Sequence, residues 1–428
     1  MSSLYPRRPR RFGRRRFLQA AGVGAAAATL GSWATACGND DDDNGDTLTL
    51  GYLSSLSGAA TPYTIPERDA IRLAVDEIND NGGILGREIN LIERDDESTP
   101  DGGTRQAREL IENDNVFLIF GVINSAIALA VSEVALESQV PFVDTIAQTA
   151  ALTEENGHRY VFRTATSHTG IAGRAMAIRA AEREDWQRWY MAGPDYEYGH
   201  RLVEDFWEHL SALRPDVERV GNQWPPFGSG EYSAQITAML AERPDAVFTS
   251  LWGEDAIAFI RQAKGFDYFD QLAHTGWAQV DPDVAIPLGD DYPPDIFTGS
   301  NLSLSALADE PEMQRFIEAY QARTDTLPTN GSGLGYTGVY LIKEALEAAG
   351  EVDREAFIDA MEGLSYESIY GTVRVRECDH QAYGPVFVGT AEHDAEMGHY
   401  ALVNPDILTP DEFPELARPC DEIEAMRS

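Results

Sequence analysis

The sequence has 428 residues, more than one core ordinarily serves and about right for two domains with additional segments. Its formal charge is −38; the first 37 residues hold seven arginines and no acid, so the remainder carries 33 − 7 = 26 basic against 71 acidic residues, a net of −45. That balance excludes a nucleic-acid partner, because nothing beyond the N-terminal stretch neutralises phosphates. Lysine occurs only at Lys264 and Lys343. An acid-rich, lysine-poor surface suits concentrated salt, where screening shortens to roughly 3 Å at 1 M and self-repulsion is muted; a halophilic setting is the expectation.

The first element is an address rather than a fold. Arg14-Arg15-Arg16-Phe17-Leu18 follows a basic run and precedes an uncharged stretch, Leu18 to Ala36, rich in Ala, Gly, Thr and Ser. The stretch has the length of a bilayer span but low apolarity for one. It ends in Ala34-Thr35-Ala36-Cys37, and the whole resembles a twin-arginine export signal (residues 1–36) followed by a lipobox with Cys37 as the lipidated residue. Ala34 stands where that motif usually has Leu. Residues 37–46 contain "GNDDDDNGD", too polar and like-charged to bury a core, and read as a tether. No other run approaches 18 apolar residues, so the mature chain is expected to be soluble and held at the outer face of the cell membrane through the lipid alone.

From Thr47 strand-like and helix-like segments alternate. Leu48–Leu53 ("LTLGYL") predicts a strand; Pro66 opens a helix with Ile71, Val75 and Ile78 on one face, ended by Asn81-Gly82-Gly83. "EINLIERDD", a helix near Gly103–Asn113, the strand Val116–Gly121, a helix over Ala126–Glu137 and the strand Pro141–Asp144 follow. Strands this apolar between helices indicate a parallel sheet covered on both faces. The pattern restarts at Trp189: strand "WYMAG", helix Gly199–Leu213, strand "VERVGNQ", helix Ser233–Glu242, strand Asp245–Leu251, helix Ala256–Lys264. Helices around Glu310–Thr324, Leu334–Ala349 and Arg354–Glu362 precede a more β-like C-terminus.

Catalytic and metal signatures are missing. There is no GxSxG elbow, Walker A loop, GxGxxG after a strand, HExxH or EF-hand pattern. "GSGLG" (Gly331–Gly335) reads as a turn leading into a helix, and His274 and His380 as loop histidines. The chain is expected to be no enzyme and to hold no metal or cofactor. Cys378 and Cys420 either form a disulfide or are separate buried thiols. Asn301-Leu302-Ser303 and Asn330-Gly331-Ser332 are sequons that an exported protein could use.

Four segments, "LSGAATPY…DAIRLAVDEINDNGGILGREINLIERDD", "IFGVINSAIALAVSEVALESQVPFVD", "DYEYGHRL" and "DAVFTSLWGEDAIAFIRQAK", together resemble the periplasmic leucine/isoleucine/valine-binding protein family, the type I solute receptors of ABC importers. The resemblance runs from about Leu48 to Tyr400. It implies an α/β fold of two lobes, each a mainly parallel sheet flanked by helices, joined by three crossovers that form a hinge. By it, the N-lobe is 47–165 plus 297–370 and the C-lobe 166–296 plus 371–428, which puts both late cysteines in one lobe. It implies a monomer that closes on a small amino acid, amide or carboxylate and presents it to permease subunits. A sensory ectodomain of the same fold, passing a signal rather than cargo, is the alternative.

The resemblance also implies a site at the carboxyl ends of strands. Asn124 and Ser125 stand at a helix N-terminus, where free N–H groups and the dipole suit a carboxylate; the family's serine matching Ser125 contacts one. Ala147 and Gln148 match a pair that contacts the amino acid's head group, with Gln148 in place of a small hydroxyl residue. Tyr198 and Trp252 match C-lobe aromatic positions, and Tyr63 a tyrosine facing them. The acid that pairs the ligand's ammonium should fall near Trp277, in "HTGWAQ", and is not there. Glu254 or Asp255 substitutes, or Trp277 offers its ring to a cation, or the ligand has no ammonium.

Overall fold

The computed structural model describes residues 47–58 and 60–427. The export signal, Cys37 and the acidic tether lie outside the described residues. The chain opens with β1 (Thr47–Ser54), α1 (Thr61–Asp80), β2 (Glu88–Asp95), α2 (Pro100–Glu112), β3 (Ile119–Gly121), α3 (Ser125–Ser138), β4 (Phe142–Asp144) and β5 (Val161–Arg163). The strands pair in the order β2-β1-β3-β4-β5, every pair parallel. Burial on both faces explains why β1 reads as a nearly continuous apolar run.

The first helix begins at Thr61, five residues before the expected start, with Pro66 inside it. Proline removes one intrahelical donor. The added turn is held by side chains instead: Thr64 Oγ1 donates to the Ser55 carbonyl at 2.7 Å, and Thr61 Oγ1 to that of Gly58 at 2.9 Å. The Pro66 carbonyl accepts from Ser332 Oγ at 3.2 Å.

The second half contains α4 (Thr169–Ala180), β6 (Arg188–Ala192), α5 (Glu197–Leu213), β7 (Glu218–Gln223), α6 (Ser233–Glu242), β8 (Ala246–Thr249), α7 (Gly253–Lys264), β9 (Ala273–Trp277), α8 (Pro282–Leu288) and β10 (Phe297–Ser300). There follow α9 (Pro311–Thr324), α10 (Asn330–Ala349), α11 (Arg354–Met361), β11 (Ser365–Ser368), β12 (Gly371–Val375), β13 (Ala382–Tyr383), β14 (Val386–Thr390), β15 (Glu392–Asp394), β16 (His399–Ala401), β17 (Asp406–Leu408) and α12 (Cys420–Arg427). The second sheet runs β17-β14-β10-β9-β8-β6-β7, parallel from β10 to β7, with β14 and β17 antiparallel at one edge. One boundary is corrected: β10 was expected in the N-lobe segment 297–370, yet it pairs with β9 and β14 inside the second sheet.

The chain then returns to the first sheet's side, where α10 packs along α1. "GSGLG" is not a turn but the first turns of α10. Its glycines permit close approach: a Cβ on Gly331 would lie 2.6 Å from the Tyr63 ring, and one on Gly335 2.7 Å from Glu67 Cγ. Gly331 thereby presses the α10 backbone against Tyr63.

Three crossing segments tie the lobes, and buried polar bonds bind them to one another. Ser167, in the first crossing, donates to Asn301 in the second. Gln381, in the third, donates through Nε2 to the Ala165 carbonyl at 2.6 Å and accepts at Oε1 from Arg163 Nη1 at 2.9 Å. Arg163 is fully buried and also pairs with Asp144 Oδ2 at 2.9 Å. Burial raises the Asp144 carboxyl to about 7, with Arg163 opposing the shift.

Both sequon asparagines, Asn301 and Asn330, are buried in the folded chain. Cys378 and Cys420 form a disulfide, which resolves that choice. His274 lies in β9 rather than a loop; burial holds it neutral, its pKa lowered to about 4, with Nδ1 3.2 Å from Tyr268 Oη. His380 is in a loop but stacks on Phe162 at 4.1 Å. Among the described residues no helix is long and apolar enough to cross a membrane.

Candidate functional site

The carboxyl ends of β3 and β4 in the first sheet face those of β6, β8 and β9 in the second, and a cavity lies between them. Tyr63, Ile123, Ile146, Gln148 and Asn330 line it from the first-lobe side, and Tyr196, Tyr198, Trp252, Trp277 and Ala278 from the other. The space between its lining atoms, open solvent at the mouth included, is about 420 Å³.

Five of the eight expected ligand residues, Tyr63, Gln148, Tyr198, Trp252 and Trp277, line this one cavity. Asn124, Ser125 and Ala147 do not line it. Asn124 is the N-cap of α3, its Oδ1 accepting from the Ala126 and Ile127 amides at 2.9 and 3.4 Å. Ser125 is buried at the helix's first position. The Ala147 amide donates to Asp144 Oδ1 at 2.9 Å and its carbonyl accepts from Arg163 Nε at 2.8 Å, so its backbone serves the hinge.

The aromatic side chains hold one another across the gap. Tyr63 and Trp252 meet edge to face, centroids 6.0 Å apart at 85°. Trp252 stacks on Phe227 at 5.2 Å and donates its Nε1–H to Tyr196 Oη at 3.0 Å. Such contacts favour ring-edge geometries that fix the rings before any ligand arrives. Trp277 is almost fully buried, its ring pressed against Gly299.

Four helices begin at or within two residues of lining residues: α3 after Ile123, α5 at Tyr198, α7 after Trp252 and α10 at Asn330. Neither α5 nor α7 has a side-chain cap, leaving their first N–H groups without that competitor. Of the acids expected to replace the missing ammonium partner, Glu254 is exposed. Asp255 turns away, accepting from the Gly228 amide at 2.8 Å.

A different acid stands behind the wall. Asp281 is buried, its Oδ1 accepting from Ser300 Oγ at 2.6 Å and its Oδ2 from Asn330 Nδ2 at 3.0 Å. Burial raises its carboxyl to about 6. Neighbouring Asp283 is raised well above the usual carboxylate range, by burial and then by the Asp281 charge. Burial, then the Asp281 charge, raises Tyr63 as well.

Sequence reasoning missed Asp281, Asn330, Tyr196, Ile123, Ile146 and Ala278. Tyr196 lies in the quoted "DYEYG" and Asp281 four residues beyond Trp277, so both were within sight of the resemblance. Asn330 was read as a sequon. Among the described residues, no cluster of His, Cys, Asp and Glu is placed to hold a metal ion.

The sequence profile of the periplasmic binding protein family matches residues 47–396. Leu/Ile/Val-binding protein homolog 8 of Brucella abortus (strain 2308) is 24% identical over 328 residues, 74% of this chain and 80% of its own. A solute binding protein of an ABC transporter from Rhodopseudomonas palustris BisB5, solved with 3,4-dihydroxy benzoic acid, superposes with a TM-score of 0.76 at 23% identity, over 85% of this chain and 98% of that one. The leucine-, isoleucine-, valine-, threonine-, and alanine-binding protein of Brucella ovis, in its closed conformation, gives 0.76 at 21% identity over 88% and 97%. Both structures share this chain's two-lobed α/β fold.

Proposed function

We propose a receptor function from a plain premise: the chain belongs to the periplasmic binding protein family, of the leucine/isoleucine/valine-binding type. Members bind solutes outside the cytoplasm without transforming them, as components of ABC transporters. This chain captures a branched-chain amino acid, or a related small amide or carboxylate, between two lobes that close, and presents it to permease subunits of an importer.

One observation carries the reading. Among the described residues, side chains from both lobes build one cavity whose walls are aromatic rings, two isoleucines and Ala278, with the amides of Gln148 and Asn330. Apolar walls take a branched side chain. The uncapped starts of α5 and α7, with the α3 N-terminus beside Ile123, offer a carboxylate the positive ends of helices. Binding one solute by both lobes favours the closed arrangement by the difference in its affinity for the two states.

The receptor works as a monomer with lobes 47–165 plus 301–370 and 166–300 plus 371–428. It leaves the cytoplasm through the signal at Arg14–Leu18 and is lipidated at Cys37, which keeps it beside its permease. Isothermal titration in high salt against leucine, isoleucine, valine, their amides and short branched carboxylates tests the ligand class. One-to-one binding of at least one member is expected; no heat and no melting shift with any would refute it.

A further inference from the structure

The end of the chain belongs to neither lobe alone. The short turn Pro414–Leu416 is bedded in the second lobe: Leu416 is fully buried in that lobe's apolar core, and its carbonyl accepts from Arg174 Nη1 of α4 at 3.0 Å. Arg418, two residues on, reaches the first lobe, where its Nε donates to Glu154 Oε2 at 3.1 Å. Cys420, at the start of α12, is bonded to Cys378, just before the third crossing. At the far end of α12, Arg427 grips three carbonyls. Its Nε donates to that of Glu154 at 2.8 Å, its Nη2 to that of Thr153 at 2.6 Å and its Nη1 to that of Cys378 at 2.9 Å. Gly157 leaves the room for this, since a Cβ there would collide with the Arg427 guanidinium.

Glu154 is the post to which the tail is fastened. It is buried, and besides Arg418 its Oε2 faces Arg201 Nη2 of α5 at 3.4 Å. Arg201 Nη1 also donates to Glu155 Oε1, and Thr149 Oγ1 to Glu197 Oε1, each at 2.8 Å, so α5 of the second lobe leans on this first-lobe loop. Bonds from a guanidinium to carboxylate and carbonyl oxygens are strong and demand their geometry. Residues 414–417 travel with the second lobe and residues 153–157 with the first. Turning the lobes apart about the crossings therefore pulls on the tail from both ends. The disulfide pins the root of α12 beside the third crossing, which leaves the tail little slack, so Arg418 or Arg427 must let go. Contacts made in one arrangement and lost in another favour the first. The tail lies beyond residue 396, where the match to the family profile ends.

We infer that residues 414–427 form a strap over the hinge, a fourth link between the lobes that biases the solute-free chain toward the shut arrangement. Arg418 and Arg427 are positioning residues that act through the Thr153–Glu154 loop; neither lines the cavity. The strap lowers the share of the closing free energy that a solute has to supply. It goes beyond the receptor reading and does not depend on which solute is bound.

Small-angle X-ray scattering of the full chain without solute tests the strap. Arg418→Ala combined with Arg427→Ala is expected to raise the radius of gyration and the longest dimension above the parent's. Arg427→Lys, which keeps the charge but cannot reach three carbonyls, should raise them less. A tail that only props up the fold would lower the urea midpoint and leave the radius of the folded protein as it was; that result would overturn the inference. Should the double variant not fold, Glu154→Gln, which keeps the shape of the post and loosens Arg418 and Arg201, is read in the same way. Failure of both to fold would make the tail part of the core rather than a strap, and would overturn the inference as well.

Discussion

Glu67 sits one turn after Tyr63 on α1, fully buried between the first sheet and α10. Tyr52 Oη donates to its Oε2 and Thr145 Oγ1 to its Oε1, each at 2.7 Å. Burial lifts its carboxyl from 4.5 to about 8, with those two hydrogen bonds opposing. A displacement of that size penalises the ionised form by on the order of 5 kcal/mol. Below pH 4.5 the group is protonated in folded and unfolded chains alike, and no penalty applies. Between 4.5 and about 8 the unfolded chain ionises first, so stability falls as pH rises, and the loss is complete once the folded group has ionised. Glu67→Gln removes the titration and keeps the shape. In urea unfolding at pH 5, 6.5 and 8, the variant should gain on the parent by several kcal/mol across the series, starting near parity. A stability difference that stays constant from pH 5 to 8 would refute the burial argument.

Other perturbations test other parts. The disulfide spans 42 residues, and closing such a loop in the unfolded chain is worth about 4 kcal/mol. Reduction, or Cys378→Ala with Cys420→Ala, should lower denaturant stability by that order, and only reduced protein should show both thiols to alkylation. Arg163→Met strands Asp144 without its partner and unties Gln381; about 3–5 kcal/mol should be lost in urea unfolding. Trp252→Ala removes the ring that meets Tyr63 across the cavity, and a loss of about 2 kcal/mol, roughly thirtyfold in Kd, is expected by calorimetry. Cys37→Ser should move the protein from the membrane fraction into the medium on fractionation of cells.

Where a helix or strand had one polar face, its pattern was readable. Thus α6 runs over the predicted Ser233–Glu242, and α3 and α5 lie within two residues of their predicted spans. Where both faces are covered, no period survives. The chain from Val161 to Ala180 holds β5 and α4, neither foreseen; nine of the twelve α4 residues are buried, so there is no apolar stripe to find. Pro66 misled because proline usually begins a helix, whereas here threonine hydroxyls hold the turn before it. The aromatic wall followed from the resemblance. Asp281 and Asn330 did not, because 49 residues separate them and only the packing of α10 against the second lobe brings them together.

The central claim is that one solute is held between the lobes, in the cavity bounded by Tyr63 and Trp252. A crystal structure of the protein grown with L-leucine tests it most directly. Density for one molecule is expected in that cavity, its side chain against Ile123 and Ile146. An empty cavity with leucine bound elsewhere would contradict it.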